Sequence, residues 1–541
     1  MLDDGVQGAR AESQRAPTET RESARRIQVP VEHEEDLRRR SVPIEMSPEQ
    51  FRAAGHRLVD RISDYLATVR DRPVTPGESP GALRKLLGDR PLPEQGIAPE
   101  RLLDEAADLL LNHSLFNGHP RFWGYINPSS APIGALGDLM AAAVNPNVGA
   151  WILSPIASEI EAQTVRWIAE MLGYPTDCGG LLVSGGNMAN FVGFVAARRA
   201  KADWDVRTTG FAGREARRLR AYVSSETHTW IHKATDLFGL GTDSIRWIPV
   251  DDQLRMDTNT LRKQIRADAQ SGDLPFLVVG TAGTVSTGAV DPLPDIAAIA
   301  REHGLWFHVD GAYGGFAAVL PDASADIRGI GLADSVAVDP HKWLYAPLEA
   351  GCALVRDRRA LLDAFSYRPP YYHFDEMEEQ IVNYFEYGLQ NSRGFRALKV
   401  WLALRQAGRQ GYARMISEDI RLAQELDRLV GKHPDLEAFT QGLSIVTFRY
   451  VPRDLKQRAT EVQDYLNRLN AGLLTRLQSS GEAFVSNAVV RGSFVLRACI
   501  VNFRTTLEDI EALPGVVARM GADVDRKLRP TEIEKSKTAE R

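Results

Sequence analysis

Hydrophobic and polar positions fall into two alternating periods along most of this chain. In SPEQFRAAGHRLVDRISDYLATVRDRP, Phe51, His56/Leu58, Ile62, Leu66 and Val69 follow a helical period, with three-to-four-residue spacing from Leu58 onward, behind Ser47 as a cap and Pro48 as a first helical residue. That pattern predicts an amphipathic helix ending near Pro73. The Pro- and Gly-rich stretch TPGESPGALRKLLGDRPLPEQG then reads as an extended crossing segment. A second helix is expected in SPIASEIEAQTVRWIAEMLGY, with Ser154 and Pro155 at its start, Ile160, Thr164, Ile168 and Met171 on one face, and Gly173 at its end.

Short apolar runs alternate with such helices: LLVS (181–184), LRAYVS (219–224), PFLVVG (275–280), LWFHV (305–309), SVAV (335–338) and GCALV (351–355). Strands apolar on both faces and separated by helices predict an α/β fold, with a mainly parallel sheet covered on both sides. From about residue 411, helical stretches enclose LSIVTFRYV and GSFVLRACIV, which predicts a smaller α+β domain. The polar ends, residues 1–45 and 527–541, are expected to be solvated tails. The body between them divides into an N-terminal helical and extended segment (46–128), a large domain (129–410) and a small domain (411–526).

Composition narrows the classes. The 541 residues are 44% hydrophobic and 25% charged, with a net charge of −6 and no recurring basic stripe, so nucleic acid is not an expected partner. No run reaches the roughly 18 apolar residues of a membrane span. The three cysteines, Cys178, Cys352 and Cys499, are far apart and form no C-x-x-C pair, which suits a reducing cytoplasm.

In an open α/β sheet, ligands bind beyond the carboxyl ends of the strands, so the residues after each strand carry the chemistry. Gly185, Gly186 and Asn187 follow the first strand and open a helix, an arrangement that serves either as a tight turn or as a phosphate cradle. Asp310 ends LWFHV; a carboxylate buried there needs a cation, whether a salt-bridge partner or a protonated ring nitrogen. His228 and His232 are four apart but lack the Glu and third ligand of a zinc site, so no metal is expected; His228 reads as a ring stacked on a planar cofactor or as a packed side chain. Lys342 follows SVAV in DPHKW, either as a surface lysine or as a nucleophilic amine whose proton affinity His341 and a low-dielectric cleft would lower. Phosphate cradle, acidic partner and Schiff-base lysine together are what pyridoxal 5′-phosphate requires.

With HPRFWGY (119–125), SPIASEIE (154–161), SGGNMAN (184–190), HVDGAYGG (308–315), ADSVAVDPHKWL (333–344), SRGFRALKVW (392–401) and VLRACIVNFRTT (495–506), the chain resembles the group II pyridoxal-phosphate amino acid decarboxylases, the aromatic-L-amino-acid decarboxylase family. The resemblance implies the aspartate-aminotransferase type of fold (fold type I) and a homodimer with active sites at the interface. It implies that Lys342 holds the cofactor covalently, Asp310 pairs with the pyridinium nitrogen, and His228 and Ala312 flank the ring. Gly186 and Asn187 would bind the phosphate, with Thr284, Asp339 and His341 nearby; Asp339 stands where animal members carry Asn. Tyr371, with Tyr372 as a rival, would return a proton to Cα after carbon dioxide leaves, and relatives with Phe there tend to be aldehyde synthases. Tyr125, Ile126 and Asn127, with Asn147 and Gly149, would line the side-chain pocket. Their polarity leaves a polar or acidic substrate as the alternative to an aromatic one.

Overall fold

A computed structural model describes residues 42–213, 216–367 and 381–531, together with residues 38 and 533. Tyr371 and Tyr372, most of residues 1–45, and residues 532 and 534–541 lie outside the described residues, whereas residues 527 and 528, expected in the tail, end the helix Leu507–Leu528.

The first helix runs Pro48–Thr68, and Ser47 and Gln50 close a reciprocal capping box at its start. The segment expected to be extended contains a further helix, Pro80–Leu87, capped by the Ser79 side chain. The reading as loop gave weight to the flanking prolines, but Pro80 occupies the first helical turn, where its missing N–H is not needed. Helices Pro99–His113, Pro132–Val144 and Pro155–Met171 follow, with strand β1 (Phe122–Trp123) among them.

The large sheet is built from β2 (Gly179–Val183), β3 (Leu219–Ser224), β4 (Ile245–Ile248), β5 (Leu274–Thr281), β6 (Trp306–Asp310), β7 (Ser335–Val338) and β8 (Gly351–Val355). Among the described residues its order is β2-β8-β7-β6-β5-β3-β4, and only β8 runs against the others. β4 was not foreseen: with Arg246 and Trp247 it lies at the sheet edge and lacks the continuous apolar run of its neighbours. Side chains alternate between two cores. Leu182, Tyr222, Val278, Phe307 and Val336 pack on one face. Leu181, Ala221, Val223, Leu277 and Ala337 pack on the other. This is why those strands read as unbroken apolar runs.

The second sheet joins β9 (Leu436–Gly442), β10 (Ile445–Tyr450), β11 (Phe484–Val490) and β12 (Ser493–Cys499) to β1, in the order β1-β11-β12-β10-β9. β1 pairs with β11 in parallel, so the segment before residue 128 is stitched into the C-terminal sheet. The helix Ala397–Lys432 links the two sheets, and Gly408, at φ 65°, interrupts its helical backbone. Among the described residues no helix is long and apolar enough to cross a membrane.

Candidate active site

β2, β5, β6 and β7 end around one cavity of about 780 Å³, and β11 and β12 contribute Ser486, Asn487 and Arg497 to its wall. Lys342, Asp310, His228 and Ala312 line it. So do Gly186, Asn187, Asp339 and His341 on one side, and Tyr125, Ile126 and Asn127 on the other.

Lys342 lies on a single helical turn, Pro340–Trp343, entered directly from β7. Its Nζ is 2.9 Å from Asp339 Oδ2. The positive neighbour expected in His341 is not supplied: burial lowers the proton affinity of that imidazole, whose Nδ1 lies 2.8 Å from the Ala350 carbonyl oxygen. Trp343 stacks on Tyr313 and donates from its indole to Asp419 Oδ2 at 2.8 Å, and the Tyr345 hydroxyl donates to the same oxygen at 2.6 Å. Tyr345 itself is held at φ 55°, a conformation that costs a non-glycine residue about 1 kcal/mol and that its surroundings must impose.

Asp310, 6% exposed at the end of β6, makes no ion pair among the described residues. Oδ2 accepts from the Trp230 indole at 2.8 Å and Oδ1 from the Ala312 amide at 3.1 Å. Two neutral donors orient the carboxylate and leave its charge uncompensated. One residue pair beyond, His308 is fully buried between Asn190 Oδ1 (2.7 Å from Nε2) and Ser335 Oγ (2.7 Å from Nδ1). Trp306 donates to Ser335 Oγ, and Asn190 Nδ2 donates to the Gly186 carbonyl. These partners put the proton of the neutral imidazole on Nε2. Burial pushes His308 down to about 4, so it stays neutral. The network ties β6 and β7 to the first turn of helix Gly186–Lys201.

That turn is close-fitting. A Cβ on Gly186 would lie 2.8 Å from Asp339 Oδ2 and 3.3 Å from the Ala312 methyl, and one on Gly351 would lie 2.6 Å from the Gly185 backbone. Glycine at both points lets the loop before the helix settle against β7 and β8, with its free N–H groups at the cavity. Burial also lowers the proton affinity of His228, with Asp310 opposing and Lys342 reinforcing the effect. His232 lies apart, packed against Trp247 at 5.0 Å between ring centroids.

Three expected residues do not line this cavity. Thr284 is fully buried and its hydroxyl closes a turn, 3.0 Å from Thr287 Oγ1 and accepting from the Ala289 amide at 3.2 Å. Thr281 and Ser286, on either side of it, reach the wall instead. Asn147 accepts from the Gly149 and Arg393 amides, and Gly149 packs against the Asn391 carbonyl, so both shape a turn outside the cavity of this chain.

Sequence reasoning missed Trp230 and Arg497. Arg497 is 3% exposed; Nη1 donates to the Tyr125 carbonyl at 3.1 Å and to Ser486 Oγ at 2.9 Å. Among the described residues its buried Nε and Nη2 have no hydrogen-bond partner. An arginine within the apolar run FVLRACIV was the available signal. A buried arginine in the wall of a cavity suits an anion.

The residues present fit pyridoxal phosphate: an amine, a carboxylate lacking a cation, and a glycine turn whose space a side chain would fill. The pyridoxal-dependent decarboxylase conserved domain matches residues 80–451. The chain belongs to that family. Among its relatives, the aromatic-L-amino-acid decarboxylase of Bacillus atrophaeus is 34% identical over 472 residues, covering 86% of this chain and 94% of that protein. A phenylacetaldehyde synthase of Arabidopsis thaliana is 31% identical over 465 residues, 84% of this chain and 92% of its own. The crystal structure of Oryza sativa TDC with PLP and tryptamine superposes with a TM-score of 0.82 at 28% identity, covering 90% of this chain and 99% of that one. The mixed α/β fold with its mostly parallel seven-stranded sheet is thus that of the fold type I decarboxylases, and the chain is a pyridoxal-dependent amino acid decarboxylase.

Proposed function

We propose that this decarboxylase converts an aromatic L-amino acid to the corresponding amine and carbon dioxide, with Lys342 as the covalent anchor and Asp310 as the partner of the cofactor's ring nitrogen. The observation that carries the reading is Asp310, a carboxylate buried at one strand end with no cation beside it among the described residues, and an amine delivered by the next strand. Bound pyridoxal phosphate supplies the electron sink for the pair left on Cα when carbon dioxide departs. The chain's own residues do the rest. Asp310 keeps the ring nitrogen protonated; close opposite charge at an effective dielectric of about 20 is worth about 4 kcal/mol before desolvation. His228 and Ala312 flank the ring, and Gly186 and Asn187 offer N–H groups to the phosphate. Arg497 orients the substrate through its carboxylate. That charge leaves with carbon dioxide, so the contact favours bound substrate more than the transition state and acts mainly on binding.

The aromatic substrate is supported by the relatives and by Tyr125, held at φ 53° with its ring 6.4 Å from Phe484. Tyr371, or its neighbour Tyr372, is the proposed proton donor to Cα. A homodimer is supported by helix Pro132–Val144, where Leu136, Leu139, Met140 and Val144 form an exposed stripe, continued by Ile152, Leu153 and Ile156. In such a dimer Asn147 and Gly149 belong to the partner's pocket. Net charge and cysteine usage support a cytoplasmic enzyme.

The test is purified protein with pyridoxal phosphate and a panel of L-amino acids, with products identified by mass spectrometry. Amine and carbon dioxide in equal amounts from an aromatic substrate are expected. Amine from an acidic or polar substrate alone would overturn the substrate class. Aldehyde with peroxide would move the enzyme to the activity named for its phenylacetaldehyde synthase relative.

A further inference from the structure

One helix holds the residues that immediately follow Lys342. Beyond the break at Gly408, helix Ala397–Lys432 presents Tyr412 and Asp419 to the turn Pro340–Trp343 and its exit. The Tyr412 hydroxyl donates to the Leu344 carbonyl at 3.1 Å, and Asp419 Oδ2 accepts from both the Trp343 indole at 2.8 Å and the Tyr345 hydroxyl at 2.6 Å. Positions 343, 344 and 345 are thus each tied to one element. Farther along it, Ala423, Leu426 and Val430 share a core with Val446 and Leu496, so the helix is itself fixed to the sheet that carries Arg497.

The turn that carries Lys342 needs this support. A single helical turn does not hold itself, because several residues are fixed for one hydrogen bond. At its exit Tyr345 sits at φ 55°, a strain that opposes the arrangement. Asp419, 3% exposed, meets the only polar groups of Trp343 and Tyr345, two side chains that are themselves almost wholly buried. Without an acceptor at 419, an indole N–H and a phenol O–H are left unpaired in the core, and relief of that cost draws the turn out of place. The lysine moves with it. A displacement of about 1 Å at a reacting group is worth about 100-fold in rate.

We propose that Asp419 is a positioning residue for Lys342: by gripping Trp343 and Tyr345 through one carboxylate oxygen, it holds the amine where it meets the cofactor's aldehyde. The inference rests on the reading of Lys342 as anchor. What the role requires at 419 is an acceptor of fixed position rather than a charge. The amide oxygen of Asn meets that requirement, and a Leu side chain does not.

The experiment compares full-length wild-type, Asp419→Asn, Asp419→Leu and Tyr345→Phe apoprotein. Covalent capture of pyridoxal phosphate is followed by absorbance and by borohydride trapping. Binding of 4′-deoxypyridoxine 5′-phosphate, which has no aldehyde, is measured in parallel. Capture should be about 10- to 100-fold slower in Asp419→Leu, about 3- to 10-fold slower in Tyr345→Phe, and within about threefold of wild type in Asp419→Asn. Affinity for the deoxy analogue, which makes no bond to the amine, should stay within about twofold of wild type in all three. An equal loss in capture and in analogue binding marks a merely structural role and overturns the proposal. So does capture by Asp419→Leu at the wild-type rate, or capture by Asp419→Asn as slow as that of Asp419→Leu. If Asp419→Leu does not fold, Tyr345→Phe decides, since it removes one hydroxyl and keeps the ring; wild-type capture by that variant then overturns the grip. Wild-type protein that traps the cofactor on another lysine overturns the reading of Lys342 itself, an outcome that peptide mapping separates from the others.

Discussion

At the scale of single residues, the site divides into groups that neighbouring sequence announces and groups that only folding brings in. Lys342, Gly186 and His228 follow strands and Asp310 ends one, and in an open α/β sheet the carboxyl ends of the strands form the ligand-bearing edge. Trp230 reaches Asp310 across 80 positions, and Arg497 reaches Tyr125 across 372, separations at which no local period carries information. Thr284 was misplaced because turn residues of similar chemistry surround it, and register decides which of them faces the cavity. Borohydride reduction and peptide mapping should find the pyridoxyl adduct on Lys342, and Lys342→Ala should abolish it. Arg497→Met should raise KM for the amino acid about 10- to 100-fold, the worth of a charge-assisted hydrogen bond, with a smaller change in kcat. A fall in kcat at constant KM would contradict an orienting role.

At the scale of elements, two buried carboxylates hold the site's frame in opposite ways. Glu161, on helix Pro155–Met171, and Arg393 are both almost fully buried and form an ion pair. Glu161 also accepts from the Leu182 amide of β2 at 2.8 Å, and Arg393 donates to the Leu182 and Val148 carbonyls. Glu161→Gln should cost about 3–5 kcal/mol in denaturant unfolding, because the guanidinium is left buried and unpaired. Asp419 has no such cation among the described residues: buried, it accepts from Trp343 and Tyr345 and is pushed up to about 7 by burial. A carboxyl raised in the folded state favours folding below its unfolded value near 4 and loses that contribution as pH rises through 7. Asp419→Asn keeps an acceptor for both donors. It should therefore flatten the fall in stability between about pH 4 and 7, by up to about 4 kcal/mol, and leave the variant the more stable protein at pH 8. Asp291, raised to about 6, contributes in the same direction, whereas His308, lowered to about 4, loses its contribution as pH falls below 6.5; the variant isolates Asp419 from both. Strand boundaries were legible because β7 and β8 are short runs of small and apolar residues, but the reversed direction of β8 was not, since an antiparallel strand buried on both faces reads like a parallel one.

At the scale of the whole molecule, the apolar stripe of helix Pro132–Val144 is the surface on which the proposed dimer rests. Sedimentation should give a dimer, and Met140→Glu with Ile156→Arg should yield monomers that lose activity while keeping the far-ultraviolet signature of the fold. An active monomer would contradict pockets shared between subunits. The joining of β1 to β11 has a further effect on how the protein comes into being. The large sheet closes within residues 179–355, its longest-range pairing being β2 with β8, yet the cavity wall needs Tyr125 and Ser486, whose contact spans 361 positions. A nascent chain can thus own a finished sheet, with Lys342 and Asp310 already in register, and still lack the guanidinium proposed to orient its substrate. Loop closure of that length is slow relative to local pairing, so competence for the reaction arrives as the last act of folding, and truncation before β12 should give a protein that captures the cofactor poorly and turns over nothing.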